Sequence, residues 1–168
     1  MVLDYVAPAL DTTILAAGEM LWRLAVTPGA YGAIRDNPEL IKGVVNEAVR
    51  MGSPIRGFTR LATQDFDVGG QTIPAGDRAL ILFASANRDE RRYDAPDAFD
   101  INRNPRDHVG WGHGPHVCVG MHLARLELEI LLETLVAQVT RIEVDTPTLV
   151  RNNVLQGFSR LPTRLFPA

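Results

Sequence analysis

This sequence predicts a mostly helical α+β fold with small β-sheets, on three observations. Two long segments, Met1 to Val26 and Met121 to Val139, carry apolar residues at helical spacing on more than one face. Between them lie short β-type runs punctuated by glycine and proline turns. The only cysteine sits in a glycine-rich loop, Trp111 to Gly120, directly before the second long helix.

The elements follow in order. Met1 to Val26 contains Pro8, which removes one helical hydrogen bond and predicts a kink or opening there. Asp11 and Thr12 follow, read either as an acid and hydroxyl that relay protons or as a cap of a helix starting at Thr12. Thr27-Pro28-Gly29 breaks the helix, and a short helix spans Ala30 to Arg35. Asn37-Pro38-Glu39 reads as an N-cap, a first-turn proline and a first-turn acid, opening a helix to about Met51. Its buried face is Leu40, Ile41, Val44, Val45, Ala48 and Val49, and Glu47 and Arg50 are surface neighbours three apart. Phe58 to Ala62 and Ala79 to Phe83 read as strands, around a hairpin of Phe66 to Val68, Gly69-Gly70 and Gln71 to Ile73. Ala84 to Glu90 reads as a short helix, and Arg91 to Asp107 is a long polar loop whose length points to a structural or binding task. In the helix after the cysteine, Arg125 and Glu129 are spaced to pair. The tail reads as strands at Arg141 to Val144, Val154 to Leu155 and Arg164 to Phe166.

Composition narrows the function classes. With 168 residues, 46% hydrophobic and 22% charged, the chain has room for one domain with a real core. A net charge of -3 gives no nucleic-acid footprint, and one cysteine excludes an internal disulfide. No run reaches the roughly 18 apolar residues of a membrane span, and no basic segment precedes an apolar run at the N-terminus. The expectation is a cytoplasmic protein without nucleic-acid or membrane partners.

The cysteine loop concentrates the chemistry. Its glycines and proline fix where one sulfur sits, just before a helix N-terminus, a place suited to an anionic ligand or nucleophile. His108, His113, His116, Cys118 and His122 lie close together in sequence. On the residues alone a zinc site, a Cys/His nucleophile pair and a buried structural cysteine all stay open.

The stretch Trp111, Gly114, His116, Cys118, Gly120 resembles the haem-ligand loop of the cytochrome P450 family, with Trp111 where the family usually has Phe. Four more segments resemble family motifs, in family order. They are Pro8 to Thr12 (oxygen activation, with Pro8-Ala9 where Ala-Gly is usual), Glu47-x-x-Arg50, Arg60, and Pro96 to Arg103. The resemblance implies that residues 1–168 form a single C-terminal haem-binding region, with the N-terminal half of the family fold absent. It implies haem b (iron protoporphyrin IX) as cofactor and Cys118 as iron ligand. Arg60 and His116 would hold its propionates, Gly120 would be a further cofactor-binding residue, and loop N–H groups near Val119 and Gly120 would bond to the sulfur. Asp11 and Thr12 would deliver protons as the catalytic pair, and Glu47, Arg50 and Arg103 would form a structural ion-pair cluster. The turn at Leu155 to Phe158 would either reach the substrate side of the pocket or be an ordinary hairpin turn. The implied activity is a monooxygenase inserting one oxygen atom of O2 into a small organic substrate, using electrons from a ferredoxin-type donor. A narrower resemblance is to soluble bacterial members that oxidise small aromatic acids. The alternatives are a truncated non-catalytic remnant of such an enzyme and a His/Cys metal-binding module.

Overall fold

The computed structural model describes residues 2–168, with side chains from residue 8 onward. Helix α1 (Val2–Val26) runs on through Pro8, so Asp11 does not cap a helix beginning at Thr12. Helix α2 (Ala30–Asp36) follows, then a 3-10 turn (Pro38–Leu40) capped by the Asn37 side chain, which accepts from the Glu39 N–H at 3.3 Å. That turn feeds helix α3 (Ile41–Gly52).

Helix α3 is the centre of the molecule. Every residue from Gly43 to Gly52 is buried, including Glu47 and Arg50 at 0% exposure. The apolar periodicity predicts a single buried stripe, and the structure buries the polar side too. The reason is coverage from both directions. Met20 and Leu24 of α1, Ile34 of α2 and Leu128 and Leu132 of the helix after the cysteine, α5 (Met121–Gln138), join Val44, Val45, Ala48 and Val49 in one core. Fully burying such a side chain contributes about 1.5–3 kcal/mol. The polar side of α3 is covered by the irregular chain between Asn87 and Asn104, as described below.

The sheets are small and antiparallel. Strand β1 (Phe58–Leu61) pairs with β4 (Arg78–Ile81), and between them β2 (Phe66–Val68) pairs with β3 (Gln71–Ile73) across Gly69-Gly70. Both glycines have positive φ, 58° and 77°, as a two-residue hairpin turn requires. Helix α4 is one turn, Phe83–Ala86, shorter than the sequence suggests. At the C-terminal end β5 (Val139–Val144) pairs with β8 (Thr163–Pro167), and β6 (Thr148–Leu149) with β7 (Phe158–Arg160). Val154 to Leu155 is not a strand, and Leu155 makes only an isolated bridge to Ile55. Phe158 instead packs edge-on against Trp22 of α1, with ring centres 5.4 Å apart.

Candidate active site

The cysteine loop is fixed by its own backbone. A 3-10 turn (Val109–Trp111) hands over to Gly112, whose N–H closes on the Val109 carbonyl at 2.9 Å. Gly112 has φ 75° and ψ -168°, a conformation open almost only to glycine, and a Cβ there would stand 2.8 Å from the His116 carbonyl oxygen. A second 3-10 turn (Gly114–His116) follows, and the Cys118 N–H returns to the Trp111 carbonyl at 2.8 Å. Gly112→Ala is therefore expected to cost at least about 1–3 kcal/mol from backbone strain, before the clash with His116. Urea denaturation of the variant beside the wild type measures it.

Helix α5 starts one residue past Gly120. Cys118 is exposed, and among the described residues no hydrogen bond reaches its Sγ, so the N–H bonds to sulfur predicted around Val119 and Gly120 are not formed. A Cβ on Gly120 would lie 3.9 Å from Sγ, ordinary contact distance, so glycine keeps this flank of the sulfur open.

The sulfur faces a cavity of about 480 Å³. The cavity is lined by Trp111, His116, Cys118 and Gly120 of the loop, by Leu123 and Ala124 of α5, by Pro8, Ala9, Thr12 and Thr13 of α1, and by Ile55, Phe58, Arg60 and Phe83. Arg60 on β1 donates to its neighbour's carbonyl, that of Thr59, at 3.0 Å, and makes no ion pair among the described residues. Thr12 donates its hydroxyl proton to the Pro8 carbonyl at 2.7 Å. Asp11 is exposed and does not line the cavity, so the structure separates it from Thr12 on the helix surface. Leu155 to Phe158 do not line the cavity either: Leu155 bridges to Ile55 and Phe158 packs on Trp22 of α1. Among the described residues no group of three or more His, Cys, Asp or Glu side chains is placed to hold a metal ion.

A buried ionic lattice stands behind the loop. The guanidinium of Arg50 makes a bidentate contact with Glu47, 2.8 Å through Nε and 2.8 Å through Nη2. Its Nη1 donates to the carbonyls of Asn87 (2.6 Å) and Pro96 (2.9 Å). Arg103 reaches the same carboxylate at 2.9 Å, and the Asp100 N–H adds a bond at 3.2 Å. Asn87 carries the lattice to the cysteine loop. Its amide donates to Ser53 Oγ at 2.9 Å, and its Oδ1 accepts from the Val109 N–H at 2.8 Å. The sequence reading missed Asn87, because a single buried amide leaves no periodic signal.

His108 caps the 3-10 turn, its Nδ1 accepting from the Gly110 N–H at 3.1 Å. Burial, then the nearby charges of Arg125 and Arg50, push its pKa down from 6.5 to about 4. A folded-state value below the unfolded one means that the unfolded chain binds the extra proton first. Stability is thus fully present above about pH 6.5 and falls as the pH drops toward 4, by up to about 3 kcal/mol. His108→Phe should flatten that part of the stability–pH curve, measured by urea titration between pH 4 and 7. The predicted Arg125–Glu129 ion pair is not formed. Arg125 instead lies over Trp111, its guanidinium carbon 5.6 Å from the ring centre.

No helix among the described residues is long and apolar enough to cross a membrane. Among curated proteins the chain is 41% identical to the cytochrome P450 CYP199A2 of Rhodopseudomonas palustris over 100% of its own length and 41% of that protein's. It is 37% identical to linalool 8-monooxygenase of Pseudomonas putida, covering 94% of the chain and 39% of the relative. The chain thus spans about two fifths of the length of these relatives. Among solved structures, CYP108D1 of Novosphingobium aromaticivorans superposes with a TM-score of 0.90 at 34% identity, over 94% of this chain and 39% of that one. The family model for cytochrome P450 matches residues 33–163. The ordered motifs, the α+β architecture with its small sheets and these likenesses lead to one assignment: the chain belongs to the cytochrome P450 family.

Proposed function

We propose that this chain is the thiolate-bearing, haem-binding region of a cytochrome P450 monooxygenase. The observation that carries the reading is the cavity, mostly apolar and lined by one exposed thiol together with Arg60, His116 and Thr12. That donor set suits haem b. An apolar wall accepts the macrocycle, a soft anion suits the iron, and Arg60, without an acid partner among the described residues, suits a carboxylate.

When bound, a thiolate-ligated haem supplies reductive activation of O2 and cleavage of its O–O bond. The chain's own residues do the rest. Cys118 would hold the iron, and Arg60 and His116 would anchor the propionates. Gly120 leaves Sγ uncovered on its flank. Thr12 keeps a hydroxyl in the cavity lining, donated to the Pro8 carbonyl, and would be the proton donor on that side of the cavity. Asp11, on the solvent side of the same helix, is the acid that recharges this relay from bulk water. The lattice of Glu47, Arg50 and Arg103 carries no chemistry and holds the loop in place.

The substrate is a small organic molecule with an apolar body, with small aromatic acids as the favoured class. The electron donor is a ferredoxin-type protein, and the compartment is the cytoplasm. The test is isotopic. Haem-loaded protein supplied with a ferredoxin, its reductase, NADH and 18O2 should place one labelled oxygen in the product and the other in water. Labelled peroxide as the sole oxygen product, with thiolate ligation intact, would overturn monooxygenation.

A further inference from the structure

The Val109–Trp111 turn that opens the cysteine loop has its first two N–H groups capped by buried side chains. A 3-10 turn leaves its leading N–H groups without partners of its own. The Gly110 N–H is taken by His108, the residue just before the turn, at 3.1 Å. The Val109 N–H is taken by Asn87 Oδ1 at 2.8 Å, from 22 positions upstream. The His108 cap is local and travels with the turn. The Asn87 cap ties the turn to the body of the protein.

Asn87 is itself held on every side, at 1% exposure. Its backbone N–H donates to the Phe83 carbonyl at 2.9 Å, and its carbonyl accepts from Arg50 Nη1 at 2.6 Å. The orientation of its side-chain amide is forced as well. Ser53, fully buried at the end of α3, donates its hydroxyl proton to the Arg50 carbonyl at 2.9 Å. Ser53 Oγ then has only lone pairs to offer Asn87. The Asn87 NH2 must face Ser53, which it meets at 2.9 Å, and Oδ1 must face the turn. Three side-chain hydrogen bonds thus run in series from the end of α3 to the Val109 N–H.

From there the path to the sulfur is short. The Val109 carbonyl accepts from the Gly112 N–H at 2.9 Å and closes the turn. The Trp111 carbonyl, at the end of the turn, accepts from the Cys118 N–H at 2.8 Å. We propose that Asn87 is a positioning residue for the Cys118 sulfur. It does not line the cavity, and it acts by fixing the turn whose Trp111 carbonyl holds the Cys118 backbone. Its control of the loop stands on the polypeptide alone, whereas the sulfur's role as an iron ligand rests on the haem reading.

Hydrogen exchange of the full chain without haem, followed in 15N–1H spectra, tests the control of the loop. Asn87→Leu keeps the bulk and removes both side-chain bonds. Ile142→Ala, a core truncation in β5, supplies the effect of a general loss of stability. Exchange at the Val109 and Cys118 amides should be faster in Asn87→Leu than in Ile142→Ala by about tenfold or more. Asn87→Asp keeps an acceptor for Val109, and the Ser53 hydroxyl can turn to donate to its second oxygen, so most of the protection should return. Protection at the two amides that falls no further in Asn87→Leu than in Ile142→Ala would overturn the proposal. Should Asn87→Leu fail to fold, Ser53→Ala, which frees the Asn87 NH2, decides by the same comparison with Ile142→Ala.

A second readout concerns the ligand. In haem-loaded, reduced protein under carbon monoxide, Asn87→Leu should lose part of the red-shifted thiolate band and Asn87→Asp should keep it. A band unchanged in Asn87→Leu would overturn the positioning of the sulfur. A wild type without the band would defeat the haem reading instead, and the exchange comparison would still decide the role of Asn87 in the loop.

Discussion

Glu47→Gln is expected to destabilise the protein by about 3–5 kcal/mol, a large part of the stability of an ordinary domain. The carboxylate is fully buried and answers two guanidinium groups, Arg50 at 0% and Arg103 at 16% side-chain exposure. Removing its charge leaves Arg50 in the interior with neutral partners only; the amide oxygen can still accept from Arg103 and the Asp100 N–H, but the amide NH2 replaces the oxygen that accepts from Arg50 Nε–H. The loss comes from stranding a buried cation, so the size of the effect does not measure how much the pair contributes over an apolar substitute. Glu143→Gln is the internal control. Its partners Arg141 and Arg164 are 60% and 75% exposed, and its loss should cost less than about 1 kcal/mol. Chemical denaturation of both variants gives the contrast, and equal effects would show that the lattice behind the loop has no special standing.

The second large effect is at the sulfur. Cys118→Ala should lower affinity for haem by more than about 100-fold, because even partners one shell out from a metal typically account for about 10–100-fold. The protein's own stability should change little, since Cys118 is exposed and its Sγ makes no hydrogen bond among the described residues. Haem titration followed by absorbance, together with a denaturation curve, separates the two quantities. A variant that loses stability and haem in parallel would point to a structural cysteine.

How much of this was legible beforehand depends on the kind of information each feature carries. The long helices, the hairpin at Gly69-Gly70 and the Asn37 cap follow from local chemistry, and the structure has them. The Glu47–Arg50 spacing is local as well, but its burial is not. Three-apart acid–arginine pairs usually lie on the surface, and this one is inside because residues up to 56 positions away fold over it. Those partners are mostly carbonyls of an irregular loop, which no periodicity encodes. Arg125 was misread for a related reason. An i,i+4 acid is always within reach on paper, whereas the Trp111 ring arrives only through the tertiary fold. Helix geometry separates Asp11 from its neighbour Thr12, because residues one apart on a helix do not share a face. The exposed apolar residues of α5, among them Leu123, Leu126 and Ile130, accord with a helix whose sequence is apolar on more than one side.

The ligation of haem iron by Cys118 is tested most directly by the spectrum of the haem-loaded, reduced protein under carbon monoxide. Wild-type protein should show the red-shifted Soret band of thiolate ligation, and Cys118→Ser should not. A wild-type spectrum without that band, or a band that survives in Cys118→Ser, would contradict the assignment of Cys118 as the iron ligand.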